Sequence, residues 1–126
     1  MGAATGTCSS IVEETFGSTK LIAWTWIGGT AETALGSCTT TSFYTGKVIY
    51  FASDPGANVK AGHDVIIKDK NDIDILSHNA YGLGATTTAS LCTGSLGAVA
   101  NSQLELFVVD AGSAATETGI VYLWIR

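Results

Sequence analysis

A chain of 126 residues with net charge −5, 13% charged residues and a single proline has no electrostatic footprint for nucleic acid or an anionic membrane. Thr, Ser, Gly and Ala dominate, a mixture that favours strands and tight turns over helices. The length is that of one domain, residues 1–126, able to bury roughly two-thirds of its unfolded surface without disulfides.

The opening "MGAATGTCSS" lacks the basic region and apolar core of a signal peptide, and Gly6 stands where a myristoylation pattern requires Ser or Thr. Residues 1–10 read as an extended N-terminal arm. No apolar run is long enough to cross a bilayer. "SSIVEET" predicts a short strand stopped by Gly17. "TKLIAWTWI" predicts the next, with Ile22, Trp24 and Trp26 on one face and Leu21, Ala23 and Thr25 on the other. Thr30 to Ser37 is the place for a helical turn. "TTTSFYTGKVIYFAS" is the longest β run, with Gly46 as a bulge or bend inside it. "DPGA" at 54–57 makes a turn, with Pro55 and Gly56 at its centre.

"HDVIIKD" and "DIDILSH" read as a hairpin. Val65 and Ile67 share one face of its first strand, Ile73 and Ile75 one face of the second, and the charges gather at the tip. Residues 80–100, "AYGLGATTTASLCTGSLGAVA", are small and glycine-rich, which predicts a long loop or arm. "NSQLELFVVD" and "TGIVYLWIR" close the chain as two strands joined by the polar turn "AGSAATE". The sum is an all-β fold, an antiparallel β-sandwich or compact barrel of about seven strands.

Few residues invite a chemical reading. Asp69, Asn71 and Asp72 are a candidate cation site, but an EF-hand starting at Asp69 would need Gly and Glu where Asp74 and Ala80 stand. Lys68 and Lys70 beside these carboxylates point to local neutralisation at a solvated turn. His63 and His78 fall near the open end of the hairpin, where a general base or a paired ligand would need them. Asp64 and Asp74 face each other across it. No nucleophile pattern accompanies them: "TGSLG" at 93–97 has Thr93 in place of the first glycine of an elbow. "YGLGATTT" has Thr87 in place of the third glycine of a dinucleotide loop. The residues give no enzyme, metal or cofactor. Cys8, Cys38 and Cys92 form no CxxC or CxxH pair and read as small buried thiols of a protein made in a cytoplasm.

The surplus of apolar residues says more. In "TGIVYLWIR" Val121, Leu123 and Ile125 line one face and Ile120, Tyr122 and Trp124 the other, and "LELFVV" places Phe107 and Val109 opposite Leu106 and Val108. An antiparallel strand with one wet face needs only one apolar side. Either the domain itself covers the second, or Ile66, Phe107, Tyr122 and Trp124 belong to an interface in a homo-oligomer. A reading of another class is a carbohydrate-binding module, with Trp24, Trp26, Tyr81 and Trp124 as a sugar-stacking platform.

The blocks "TGKVIYFASDPGA", "HDVIIKDKNDIDIL" and "LELFVVDAGSAATETGIVYLWIR" resemble a group of small all-β virion proteins of tailed bacteriophages. The matching elements are Thr45–Gly46, Asp64 to Asp69, Asp72 to Leu76 and Gly119 to Ile125. Members often carry a glycine in the hairpin turn, where this chain has "KNDID". The resemblance implies a non-enzymatic structural protein of the virion, made in the host bacterial cytoplasm and without cofactor. Its implied role is capsid decoration, a cement that binds the major capsid protein or another virion protein as a small oligomer, a trimer by family pattern. A head-to-tail connector or tail component is the alternative. The first strand and the 80–100 segment are then the arms that reach neighbours.

Overall fold

Two strands near the N-terminus set the frame. β1, Thr7–Phe16, reverses through Gly17 and Ser18 into β2, Thr19–Ile27, and Gly17 at φ 62° supplies the left-handed residue that a two-residue hairpin turn requires. Strict alternation along β2 buries Ile22, Trp24 and Trp26 completely, while Leu21, Ala23 and Thr25 point the other way and stay half-buried. The computed structural model describes residues 6–28, 38–85, 89–92, 96–109 and 117–126. Among them are eight strands and no helix, and every strand pairing is antiparallel. The fold is therefore the all-β arrangement of packed antiparallel sheets that the sequence predicts. The helical turn expected at 30–37 and the polar turn at 111–117 fall largely outside the described residues.

β3, Tyr44–Pro55, is the long strand expected, and Gly46 marks its irregularity. At φ 146°, with a hypothetical Cβ only 2.7 Å from the Arg126 carbonyl oxygen, position 46 excludes any side chain. The large sheet runs β1–β2–β8–β3, where β8 is Thr118–Ile125. The second edge of β3 carries β5, Ala89–Cys92, and β6, Ala98–Ser102. Within the long loop or arm expected over residues 80–100, the described residues include β5 and the start of β6, both paired with β3, and residues 86–88 and 93–95 lie outside the described residues. Of the N-terminal arm expected over residues 1–10, residues 7–10 belong to β1 beside β2, and residues 1–5 lie outside the described residues.

The hairpin expected over 63–78 does not form as two paired strands. β4, Asp64–Lys68, pairs with β7, Glu105–Val109, in a second sheet of two strands. Between 69 and 78 the chain makes one bridge, Asp74 to Lys68, then coils through turns instead of extending. The cause is Asp74. Its carboxylate accepts from the backbone N–H groups of Ile67, Leu76 and His78, and Ser77 and His78 take left-handed φ values of 53° and 61°. A short polar side chain that satisfies local N–H groups competes with the strand ladder and wins here. Ile75 and Leu76 are consequently both buried, and Ile73 is 57% exposed. The last two strands likewise part company: β7 joins the small sheet, and β8 becomes the centre of the large one.

The inner faces of the two sheets meet in one core. Ile22, Trp24, Trp26, Val48, Phe51, Val121, Leu123 and Ile125 from the large sheet pack with Val65, Ile67, Leu106 and Val108 from the small one. Segment 38–40 joins the layers by hydrogen bonds from Thr40 N–H to Leu104 and from Leu106 N–H to Cys38. The buried Trp24 indole donates to the Cys38 carbonyl at 2.9 Å. Cys8 and Cys38, read from sequence as free thiols, form a disulfide with Cα atoms 5.2 Å apart, which pins β1 to this segment.

Candidate binding face of the large sheet

The outer face of the large sheet is set by register. Glu14, Leu21, Trp124 and Tyr50 fall in one row across β1, β2, β8 and β3. Val12, Ala23, Tyr122 and Ala52 fall in the next, and Ser10, Thr25, Ile120 and Asp54 in the third. The tryptophan and both tyrosines are half-buried although they lie on the side away from the core. Trp124 and Tyr50 meet edge to face with centroids 5.2 Å apart, and Trp124 and Tyr122 lie 5.9 Å apart with planes within 27°. Such pairs hold one another in place and present a pre-ordered aromatic surface. Tyr122 has alanine directly opposite on both sides, so no large neighbour in its own row walls its ring. Polar groups of both signs rim the patch. Glu14 and Asp54 are exposed on the same face, and Lys47 and Arg126, also exposed, are joined by two backbone hydrogen bonds of 3.0 and 2.9 Å beyond Trp124.

The aromatic residues singled out in the sequence separate sharply. Trp24 and Trp26 are corrected: both are fully buried in the core and cannot stack on a ligand. Tyr81, 42% exposed, stacks on His78 at 4.9 Å away from the row. Trp124 is on the outer face, and its partners there, Tyr50 and Tyr122, were absent from the expected sugar platform. Only the pairing of β3 with β8 places Tyr50 beside Trp124, and that pairing is not written in local sequence. The four expected interface residues also divide. Tyr122 and Trp124 lie on the large sheet, whereas Ile66 and Phe107 are direct cross-strand partners on the outer face of the small one, with the Lys68 ammonium 4.8 Å from the Phe107 ring centroid.

The remaining polar candidates serve the fold. Asp69 accepts from Asn71 N–H at 2.8 Å and Ile73 N–H at 3.1 Å, and Asp72 pairs with Lys68 at 3.2 Å. Among the described residues, no three His, Cys, Asp or Glu side chains come together as metal ligands. Asp64 accepts from Gly82 N–H, so it and Asp74 each hold their own turn. His63 and His78 are not a pair in character. His63 is fully buried, its Nδ1 at 3.0 Å from the Lys60 carbonyl, and burial holds its pKa below the ordinary imidazole value; His78 is exposed. Glu13 accepts from the N–H groups of Thr41 and Ser42 and from the Tyr44 hydroxyl at 2.6 Å. Burial and that bond hold the Tyr44 phenol well above its ordinary pKa, so it stays a donor.

No protein-family model and no curated protein matches the chain. Among solved structures, the chain is similar to a low affinity xylan binding module, CBM86, from the xylanolytic gut symbiont Roseburia intestinalis. The two share 10% identity at a TM-score of 0.43, over 100% of this chain and 92% of that one.

Proposed function

We propose that the chain is a non-enzymatic β-module that binds carbohydrate on the outer face of its large sheet, taking a neutral, extended polysaccharide along Tyr50, Trp124 and Tyr122. The aromatic row carries this reading: three rings fixed against one another on the side of the sheet that faces away from the core. The C–H faces of pyranose rings stack on such rings, and the rim of Glu14, Asp54, Lys47 and Arg126 offers acceptors and donors to hydroxyls. A net charge of −5 disfavours polyanionic glycans. The Cys8–Cys38 disulfide suits an oxidising compartment outside the cytoplasm, where such polymers are met. Affinity electrophoresis against soluble cellulose-, xylan- and mannan-type polymers tests it. The native chain should be retarded by at least one polymer, and Trp124→Ala should lose that retardation while still unfolding cooperatively at a modestly lower Tm. Equal migration of both proteins in every gel would refute the reading.

A second reading is favoured by a different observation. Ile66 and Phe107 give the small sheet an apolar outer patch of its own, on the opposite side of the sandwich from Tyr122 and Trp124. A domain adhesive on two sides suits a cement that bridges neighbours in a virion shell, the capsid-decoration role implied by the phage resemblance. The major capsid protein would be its partner and the virion its location. Quantitative mass spectrometry of purified particles tests this: near-stoichiometric abundance against the capsid protein supports it, and absence from particles refutes it.

A further inference from the structure

We propose that β1 is a self-pairing edge, and that two copies of this chain join antiparallel through β1 about a two-fold axis at Val12. The proposal does not depend on what the aromatic face binds. β1 ends the large sheet, and among the described residues the backbone hydrogen bonds of Ile11 to Phe16 go to β2. A long edge strand with free N–H and C=O groups is a template for another strand, and proteins that remain monomeric blunt it with lysine, proline or inward charge. From Ile11 to Phe16 the strand has no proline, lysine or register shift; its one inward carboxylate, Glu13, is already bonded to Thr41, Ser42 and Tyr44, and it exposes Val12 by 47% and Phe16 by 60%.

Charge excludes two of the possible axes, and the exposed Val12 selects among the rest. In an antiparallel sheet, facing residues lie on the same side, so a two-fold axis normal to the sheet must pass through a residue and its own mate. An axis at Glu13 or Glu14 sets like charges directly opposite, which is destabilising. With the axis at Val12, each Glu14 faces Ser10 of the other copy, a hydroxyl donor for a carboxylate. Each Glu13 faces Ile11, and its charge is already met by Thr41, Ser42 and Tyr44. The two exposed valines close on each other at the centre. This operator keeps both outer faces on one side, so the two aromatic rows share a single continuous sheet.

Sedimentation velocity of the native chain across a wide concentration range should show twice the chain mass, and Val12→Lys should show the single mass. Because Val12 already reaches solvent, that variant should keep the native circular-dichroism spectrum and a cooperative unfolding transition, which separates loss of pairing from loss of fold. Register is read by mild oxidation in a Cys92→Ser background. Val12→Cys should cross-link to itself, since directly opposed Cβ atoms lie about 4.5–5.5 Å apart, and Glu14→Cys should not. A native chain that stays monomeric, a dimer that survives Val12→Lys, or cross-linking through Glu14→Cys alone would each overturn the proposal.

Discussion

Replacing Glu13 with alanine should loosen the seam between β1 and the segment that enters β3. The carboxylate accepts from Thr41 N–H at 3.0 Å, Ser42 N–H at 3.1 Å and the Tyr44 hydroxyl at 2.6 Å. Hydrogen bonds to a charged group contribute about 1.5–3 kcal/mol when water cannot replace them. Thr41 and Ser42 are exposed, so water takes over there and their loss counts for little. Tyr44 is 6% exposed, and its hydroxyl loses its acceptor. The expected cost is about 2–3 kcal/mol, which for a chain of this size lowers Tm by about 8–12 °C.

The pH dependence follows from the same bonds. Burial raises the Glu13 pKa, but the bonds from Tyr44, Thr41 and Ser42 outweigh it and leave the carboxyl below its ordinary value. A folded pKa below the unfolded one gives stability that is complete above the unfolded value and is lost as pH falls through the folded one. Thermal unfolding followed by circular dichroism should therefore show the native chain and Glu13→Ala well separated at neutral pH and converging in acid. An unchanged Tm at neutral pH, or a gap that persists undiminished below the carboxylate range, would refute this account of the seam.

Three further outcomes are expected. Reducing the Cys8–Cys38 disulfide, with a separation of 30 residues, should cost about 3–4 kcal/mol, read as a lower urea midpoint in reductant. Buried His63 has a lowered pKa, so its contribution is complete above the ordinary imidazole value of about 6.5 and is lost as pH falls through the folded value. His63→Gln should flatten that part of the stability profile, measured by urea unfolding at a series of pH values. Tyr122→Ala should weaken polysaccharide binding about tenfold or more, as loss of a stacking ring at a hot spot does, with little change in Tm because its ring lies outside the core.

Much of the fold is legible wherever a strand has one apolar and one mixed face. β2 declares Ile22, Trp24 and Trp26 as its inner side by alternation alone, and Gly46 declares its own irregularity. Local pattern fails where pairing is decided at a distance. Val65 and Ile67 correctly mark the inner face of β4, but nothing near them says that the partner is β7. The apparent alternation of "DIDIL" is broken by Asp74, whose carboxylate organises turns. Spacing gave no sign that Cys8 and Cys38 meet, because the contact depends on how segment 38–40 crosses beneath β1. For the binding face, Trp124 was readable as a candidate. Its separation from Trp24 and Trp26 was not, since β8 is apolar on both faces and only the assembled sheet decides which side meets the core.

Intrinsic tryptophan fluorescence during titration with a soluble, neutral β-linked polysaccharide reports on the outer face of the large sheet itself. Trp24 and Trp26 are fully buried, so a ligand on the outer face changes the emission of Trp124. The native chain should show a saturable change that disappears in Trp124→Phe. No change with any neutral polymer, or a change that persists in Trp124→Phe, would contradict binding on that face.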